Sequence, residues 1–266
     1  MFNAKNGRLV FDRAAMDYIV FGKGTRHLIM LPGLGDGLMT VRGKALPFSL
    51  MYSKYANAFR VWMFSRREPL PQGYTTRDMA ADVYKAMVLL GIDRASVIGI
   101  SQGGMIAQHL AIDHPERVEK LVLAVTAPRC EPILAGNIRR WMDMARREDY
   151  AAIMEDNLRQ MYTPDYVKKN RWLLPITTRV GKPKCFDRFL VQAEACLTHN
   201  AAGIASITAP TLILGGARDR TIDIAGSHAL HKAIPNSRLH IWAKYGHAVY
   251  DEADDFDDVT LAFLLE

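Results

Sequence analysis

At 266 residues, with 49% hydrophobic and 23% charged side chains, the chain has the balance of a globular protein: one large domain, or a domain with an insertion. The net charge of +6 comes from basic residues spread without any recognition motif, so a solvated basic surface is expected and nucleic acid is not an expected partner. No apolar run reaches bilayer length, Met1-Phe2-Asn3-Ala4-Lys5-Asn6-Gly7 holds no signal-peptide core, and the three cysteines (Cys130, Cys185, Cys196) are odd in number and unspaced for a framework, so a cytoplasmic protein with no membrane partner is expected.

In chain order, Arg8–Phe11 and Met16–Phe21 read as an opening hairpin, followed by a buried strand over 27–31. Directly after that strand comes Pro32-Gly33-Leu34-Gly35-Asp36-Gly37, a glycine-rich loop. A helix is predicted near 47–57 and a strand over 59–64. Thr75 or Thr76 caps a helix to about Leu90, with Met79, Val83, Met87 and Leu90 on one stripe.

Ala95-Ser96-Val97-Ile98 then reads as a short buried strand and Gly104–Ala111 as a helix, with Gly99-Ile100-Ser101-Gln102-Gly103 between them. A serine on so tight a strand-to-helix turn has its hydroxyl pushed outward. The flanking glycines let neighbouring backbone approach. The turn also aims the first N–H groups of the helix, its positive dipole end, at whatever the serine attacks.

Lys120–Val125 is the sixth strand. The segment from about Arg129 to Asn200 breaks the alternation and shows helical stripes instead: Ile138, Trp141, Met142 and Ala145; then Ile153, Leu158 and Met161; then Phe186, Phe189, Leu190, Ala193 and Leu197. Trp141, Met142, Met144, Met161, Trp172 and Phe189 are candidates for lining an acyl or aromatic pocket. The segment is basic (Arg139, Arg140, Arg146, Arg147, Lys168, Lys169, Arg171, Lys182, Lys184), which reads as solvated faces, whereas an inward arginine would favour a carboxylate-bearing substrate.

Pro210–Gly216 is a buried parallel strand with Asp219 in the loop just past its end. Ser237–Trp242 alternates like a strand, and the loop Lys244-Tyr245-Gly246-His247-Ala248 leads into a last helix with an acidic start at Asp251–Asp254. The strand–helix alternation makes this an α/β chain: a mostly parallel, eight-stranded sheet with helices on both faces. Ser101, Asp219 and His247 would all lie outside the C-terminal strand ends, where catalytic groups gather in open α/β sheets.

These motifs resemble those of the α/β-hydrolase fold proteins over essentially the whole chain. The resemblance implies Ser101 as nucleophile, His247 as general base and then acid, and Asp219 as orienter of the imidazole, with Asp223 the nearest rival to Asp219. It implies an oxyanion hole from the backbone N–H groups of Gln102 and Leu34. It also implies a core of residues 1–128 and 201–266, with 129–200 inserted after the sixth strand as a helical lid. Two departures stand out: Pro32 replaces the family's usual histidine, and Ser65–Gly73 lacks the common Asp-x-Arg-Gly-x-Gly pattern.

The implied activity is hydrolysis of a carboxylic ester, thioester or activated amide of a small molecule through an acyl-enzyme, without metal or cofactor. The same triad serves acyltransferases, carbon–carbon bond hydrolases and lyases on carboxylated substrates, and a non-catalytic receptor is the remaining alternative. A serine nucleophile argues against dehalogenase chemistry, for which the family uses aspartate. His240, within a strand, reads as structural.

Overall fold

The computed structural model describes residues 2–11 and 13–266. Eight strands form one sheet: β1 (Lys5–Phe11), β2 (Ala14–Phe21), β3 (Arg26–Leu31), β4 (Phe59–Phe64), β5 (Ala95–Ile100), β6 (Val118–Ala124), β7 (Thr211–Gly216) and β8 (Ser237–Trp242). Their spatial order is β1-β2-β4-β3-β5-β6-β7-β8, antiparallel between β1 and β2 and between β2 and β4, and parallel from β4 to β8.

Alternation along the central strands feeds two cores. Ile29, Leu31, Val97, Leu121, Leu123 and Ile213 face one way and pack with Met79 and Val83 of α3 (Thr76–Leu89) and Ile106 and Leu110 of α4 (Gln102–Asp113). Their neighbours Leu28, Met30, Ile98, Val122, Leu212 and Leu214 face the other way, against a second set of helices. Side chains of period two on a strand buried on both faces require this arrangement. α3 begins at a capping box in which Thr75 Oγ1 accepts from Asp78 N–H and the Asp78 carboxylate accepts from Thr75 N–H, at 3.1 and 2.8 Å.

The predicted helix near 47–57 is two helices, Ala45–Met51 and Ser53–Ala58, broken at Tyr52, whose backbone leaves the helical region. The predicted last helix is also two: Val249–Glu252, then Phe256–Leu265 after extended backbone at Ala253. The acidic stretch therefore spans a break and does not cap the final helix.

Between β6 and β7 lie α5 (Pro132–Arg146), α6 (Tyr150–Met161), α7 (Pro164–Asn170), α8 (Leu174–Val180) and α9 (Asp187–Leu197). Leu134, Ile138, Trp141, Ile153, Phe186 and Phe189 from this segment share a third core with Leu34, Met105 and Ile222. No helix among the described residues is long and apolar enough to cross a membrane.

Candidate active site

Parallel pairing aligns the C-terminal strand ends: Leu31 lies opposite Gly99, Ile100 opposite Ala124, Ala124 opposite Leu214, and Gly216 opposite Trp242. The loops that follow converge on one point, and Ser101 stands there between β5 and α4 at φ 55°, ψ −119°. Positive φ strains any residue with a Cβ. The turn closes because its neighbours are glycines: a Cβ on Gly103 would fall 1.9 Å from the Leu31 carbonyl oxygen, and one on Gly99 would fall 2.5 Å from that of Gly103.

The structure brings the three predicted side chains together. His247 Nε2 lies 3.1 Å from Ser101 Oγ, and His247 Nδ1 lies 2.7 Å from Asp219 Oδ2. The imidazole and carboxylate side chains are only 2% and 3% exposed. Asp219 Oδ1 accepts from the N–H groups of Thr221 and Ile222 at 2.7 and 3.0 Å, which leaves Oδ2 for the histidine. Burial pushes the Asp219 carboxyl upward, but His247 and the two N–H bonds outweigh it and hold the group below the usual carboxylate range.

Asp223 is otherwise engaged: it caps α10 (Ile224–Ala233), its Oδ1 accepting from Ala225 N–H at 2.9 Å. His240 packs edge-on against Trp242, ring centroids 4.2 Å apart.

Gly33 passes so close to Ser101 that a Cβ there would sit 3.3 Å from Ser101 Cβ. Leu34 opens a 3-10 turn, Leu34–Gly37, and Gln102 opens α4. Neither N–H donates to a backbone acceptor among the described residues, as the first positions of helical turns leave them free.

Sequence reasoning missed what holds this loop. Arg66, in the loop after β4, is buried, and its Nη2 donates to the Pro32 carbonyl at 2.5 Å and to Gln102 Oε1 at 3.2 Å. One nitrogen thus ties together the two segments that carry the Leu34 and Gln102 N–H groups. Asp36 Oδ2 accepts from Arg66 N–H (3.0 Å), Arg188 Nη2 (2.6 Å) and Gln192 Nε2 (3.2 Å), the last two from α9. Burial alone would raise the Asp36 carboxyl, yet Arg66, Arg188 and these bonds keep it below its ordinary value. The signal in the sequence was the departure at 65–73, together with adjacent parallel strands whose following loops must meet.

A cavity of about 610 Å³ opens over Ser101 and His247. Of the six pocket candidates, Trp141, Met161 and Phe189 line it, whereas Met142, Met144 and Trp172 do not. Met142 is buried in the third core, because a helical stripe alone does not tell which of its residues reach the cavity, and Trp172, named by residue type alone, is 65% exposed. No arginine lines the cavity; Lys44 is the one cationic residue on its wall among the described residues, and burial holds its ammonium below the usual range against a smaller opposing pull from Asp36. Tyr52, Tyr162 and Tyr250 also line it. Burial first, then Asp251 nearby, keeps these phenols protonated, with Tyr52 pushed up to about 12. At the histidine loop, Ala248 N–H donates to the Met161 carbonyl at 2.9 Å, joining the end of α6 to the residue after His247.

A model of the α/β hydrolase fold family matches residues 26–254. The chain is 30% identical over 205 residues to a Klebsiella pneumoniae subsp. pneumoniae protein named as a carbamate hydrolase, RutD, covering 72% of this chain and 73% of that one. It is 26% identical over 268 residues to 2-hydroxy-6-oxononadienedioate/2-hydroxy-6-oxononatrienedioate hydrolase 2 of Pseudomonas putida, covering 94% and 91%. Its fold matches the crystal structure of MGS-M2, an α/β hydrolase enzyme from a Medee basin deep-sea metagenome library, with a TM-score of 0.87 at 19% identity and 98% of each chain covered. With the family model spanning most of its length, the chain belongs to the α/β hydrolase fold family.

Proposed function

We propose that this protein is a serine hydrolase that cleaves a carboxylic ester, thioester or activated amide of a small molecule through an acyl-enzyme. The observation that carries the reading is the continuous relay from Ser101 Oγ through His247 to Asp219, at 3.1 and 2.7 Å, on the wall of an apolar cavity. His247 accepts the Ser101 proton as Oγ attacks the carbonyl carbon. Asp219 holds Nδ1–H, fixing the tautomer that leaves Nε2 free to accept, and stabilises the imidazolium. The oxyanion is received by the N–H groups of Leu34 and Gln102. His247 then protonates the leaving group and later draws a proton from the water that releases the acid. Residues 129–200 act as a lid, since α5, α6 and α9 contribute Trp141, Met161 and Phe189 to the cavity wall.

The cavity wall favours a neutral substrate body over the carboxylated substrates of the carbon–carbon hydrolase reading. A bound carboxylate is best held by a fork of arginine donors. None of the lid arginines that the sequence offered lines the cavity: Arg140 pairs with Asp156 at 2.8 Å, Arg146 pairs with Asp143 at 2.8 Å, and Arg139, Arg147 and Arg171 are exposed.

The test is fluorophosphonate labelling of wild type, Ser101→Ala and His247→Ala beside a panel of short- to medium-chain p-nitrophenyl esters. Labelling and turnover in wild type alone are expected. A folded wild type that neither labels nor turns over would overturn the proposal and bring the receptor reading forward.

A further inference from the structure

The basic residues are spread along the chain, but the net positive charge is concentrated in one segment. Residues 164–184 contain six Lys or Arg against a single acid, Asp165, and so hold nearly all of the net charge of +6. Lys168, Lys169, Arg171, Arg179, Lys182 and Lys184 are all exposed, and none forms an ion pair among the described residues. α7, a 3-10 turn over Arg171–Leu173, and α8 follow one another directly, which makes one nearly continuous two-faced helical segment. Its inner face supplies Tyr166, Asn170, Leu173, Leu174 and Thr177 to the cavity wall. Its outer face holds the cations and, four residues apart, Trp172 and Ile176, which are 65% and 55% exposed.

Exposed apolar side chains are not confined to this segment. The helix Ala45–Met51 lines the same cavity with Phe48 yet leaves Leu46, Leu50 and Met51 exposed. Met39 both lines the cavity and is exposed, and its Cε would lie 3.4 Å from a Cβ on Gly181, just past α8. Met39, the helix Ala45–Met51 and α7–α8, all contributing to the cavity wall, therefore hold six of the eleven large hydrophobic residues that are exposed among the described residues. That concentration marks a surface built to meet something.

We propose that the outer face of α7–α8, centred on Trp172 and Ile176 and ringed by Lys168, Lys169, Arg171 and Arg179, docks the protein on an anionic lipid surface at the mouth of its cavity. Charge complementarity selects the occupant. Unpaired Lys and Arg around an exposed tryptophan match acidic headgroups over an acyl layer, where the indole sits at the interface and long basic side chains reach the headgroups. Each cation held near an anionic membrane is worth about a fivefold change in partitioning. The docking does not require the chemistry at Ser101, so it stands apart from the hydrolase proposal.

The experiment uses full-length Ser101→Ala, so that turnover cannot alter the lipid, with vesicles of phosphatidylcholine alone or containing one-third phosphatidylglycerol. Trp62, Trp141 and Trp242 are buried, so Trp172 is the tryptophan whose emission reports contact. Co-sedimentation with phosphatidylglycerol vesicles at low salt is expected, with a blue shift absent in Trp172→Phe and reversal at high salt. The triple variant Lys168→Gln, Lys169→Gln, Arg171→Gln should partition about a hundredfold more weakly. The same triple change made on a wild-type Ser101 background should keep its melting temperature and its turnover of a soluble ester. Three results would overturn the proposal: no sedimentation with either vesicle; binding of heparin or single-stranded DNA without vesicle binding, which would make the face a polyanion site; or a blue shift that grows with protein concentration in the absence of lipid, which would give the face to a second copy of the chain.

Discussion

Replacing Arg66 by methionine tests whether the loop after β4 holds the proposed oxyanion site in place. Methionine keeps an unbranched side chain of similar length and removes the guanidinium. The change deletes the bonds from Nη2 to the Pro32 carbonyl and to Gln102 Oε1, 2.5 and 3.2 Å long. Hydrogen bonds to a charged group contribute about 1.5–3 kcal/mol each. Removing one member of a buried charge pair costs about 3–5 kcal/mol. Here Asp36 keeps Arg188 at 2.6 Å, and Arg66 no longer needs desolvating, so the stability loss should fall at the low end, about 3 kcal/mol. Outright loss of one oxyanion donor costs about 10²–10³ in kcat, and a donor that is displaced but present should cost about 10–10².

The assay is kcat and KM on a p-nitrophenyl ester, normalised by active-site titration, with a urea melt alongside. KM should stay within about threefold, because the ground-state ester gains little from the oxyanion donors. Arg66→Lys, which keeps charge and donors, should recover part of kcat. An Arg66→Met protein that is destabilised but has unchanged kcat would show that the loop holds its own position, and the bracing role would be wrong.

Asp219→Asn should lower kcat by about 10⁴ by favouring the wrong imidazole tautomer, while Asp223→Asn, which still caps α10, should stay near wild type; equal losses in the same ester assay would refute the assignment. Asp36 and Asp219 both titrate below their ordinary range, so the stability they contribute is present above about pH 4 and lost as pH falls through their folded values. Asp251 and Asp257, raised by burial, run the other way, so the informative readout is a difference: Asp36→Asn should have a lower urea midpoint at neutral pH and a shallower acid limb than wild type. Gly103→Ala should fail to fold stably, since its Cβ would meet the Leu31 carbonyl at 1.9 Å, whereas Gly136→Ala, within α5 and with nothing in reach, should raise the urea-melt stability by about 0.5–1 kcal/mol.

Much of this was legible because it is local. β3 to β8 are short apolar runs bounded by turn residues, and Gly99–Gly103 names its own turn because only glycine tolerates Gly103 against the Leu31 carbonyl. Asp219 and His247 were legible because they follow strands, and parallel pairing sends the ends of such strands to one edge. What was not legible depended on three-dimensional neighbours. Arg66 and Asp36 are thirty residues apart, and each looks like an ordinary loop charge until β3 and β4 pair. Trp172 was a pocket candidate by residue type alone, which does not say whether it faces in or out. The breaks at Tyr52 and Ala253 follow backbone dihedrals that no proline or glycine announces.

The Arg66 network also explains how the chain tolerates Pro32 where the family has histidine. Proline offers the loop no N–H and no side-chain polar atom, only its carbonyl, and Arg66 binds that carbonyl. The same network limits how the helical segment can move. Arg188 and Gln192 of α9 hold Asp36 from above, so lifting α9 would strand a buried carboxylate, at about 3–5 kcal/mol. The far end of the segment is held differently, by neutral hydroxyl donors: Tyr162 to Asp251 at 2.6 Å and Thr163 to Glu252. A single hydrogen bond to a charged group contributes about 1.5–3 kcal/mol, less than a buried ion pair costs to break. If substrate entry demands an opening, it therefore falls to α7 and α8, and α9 stays seated on the loop that carries the Leu34 N–H.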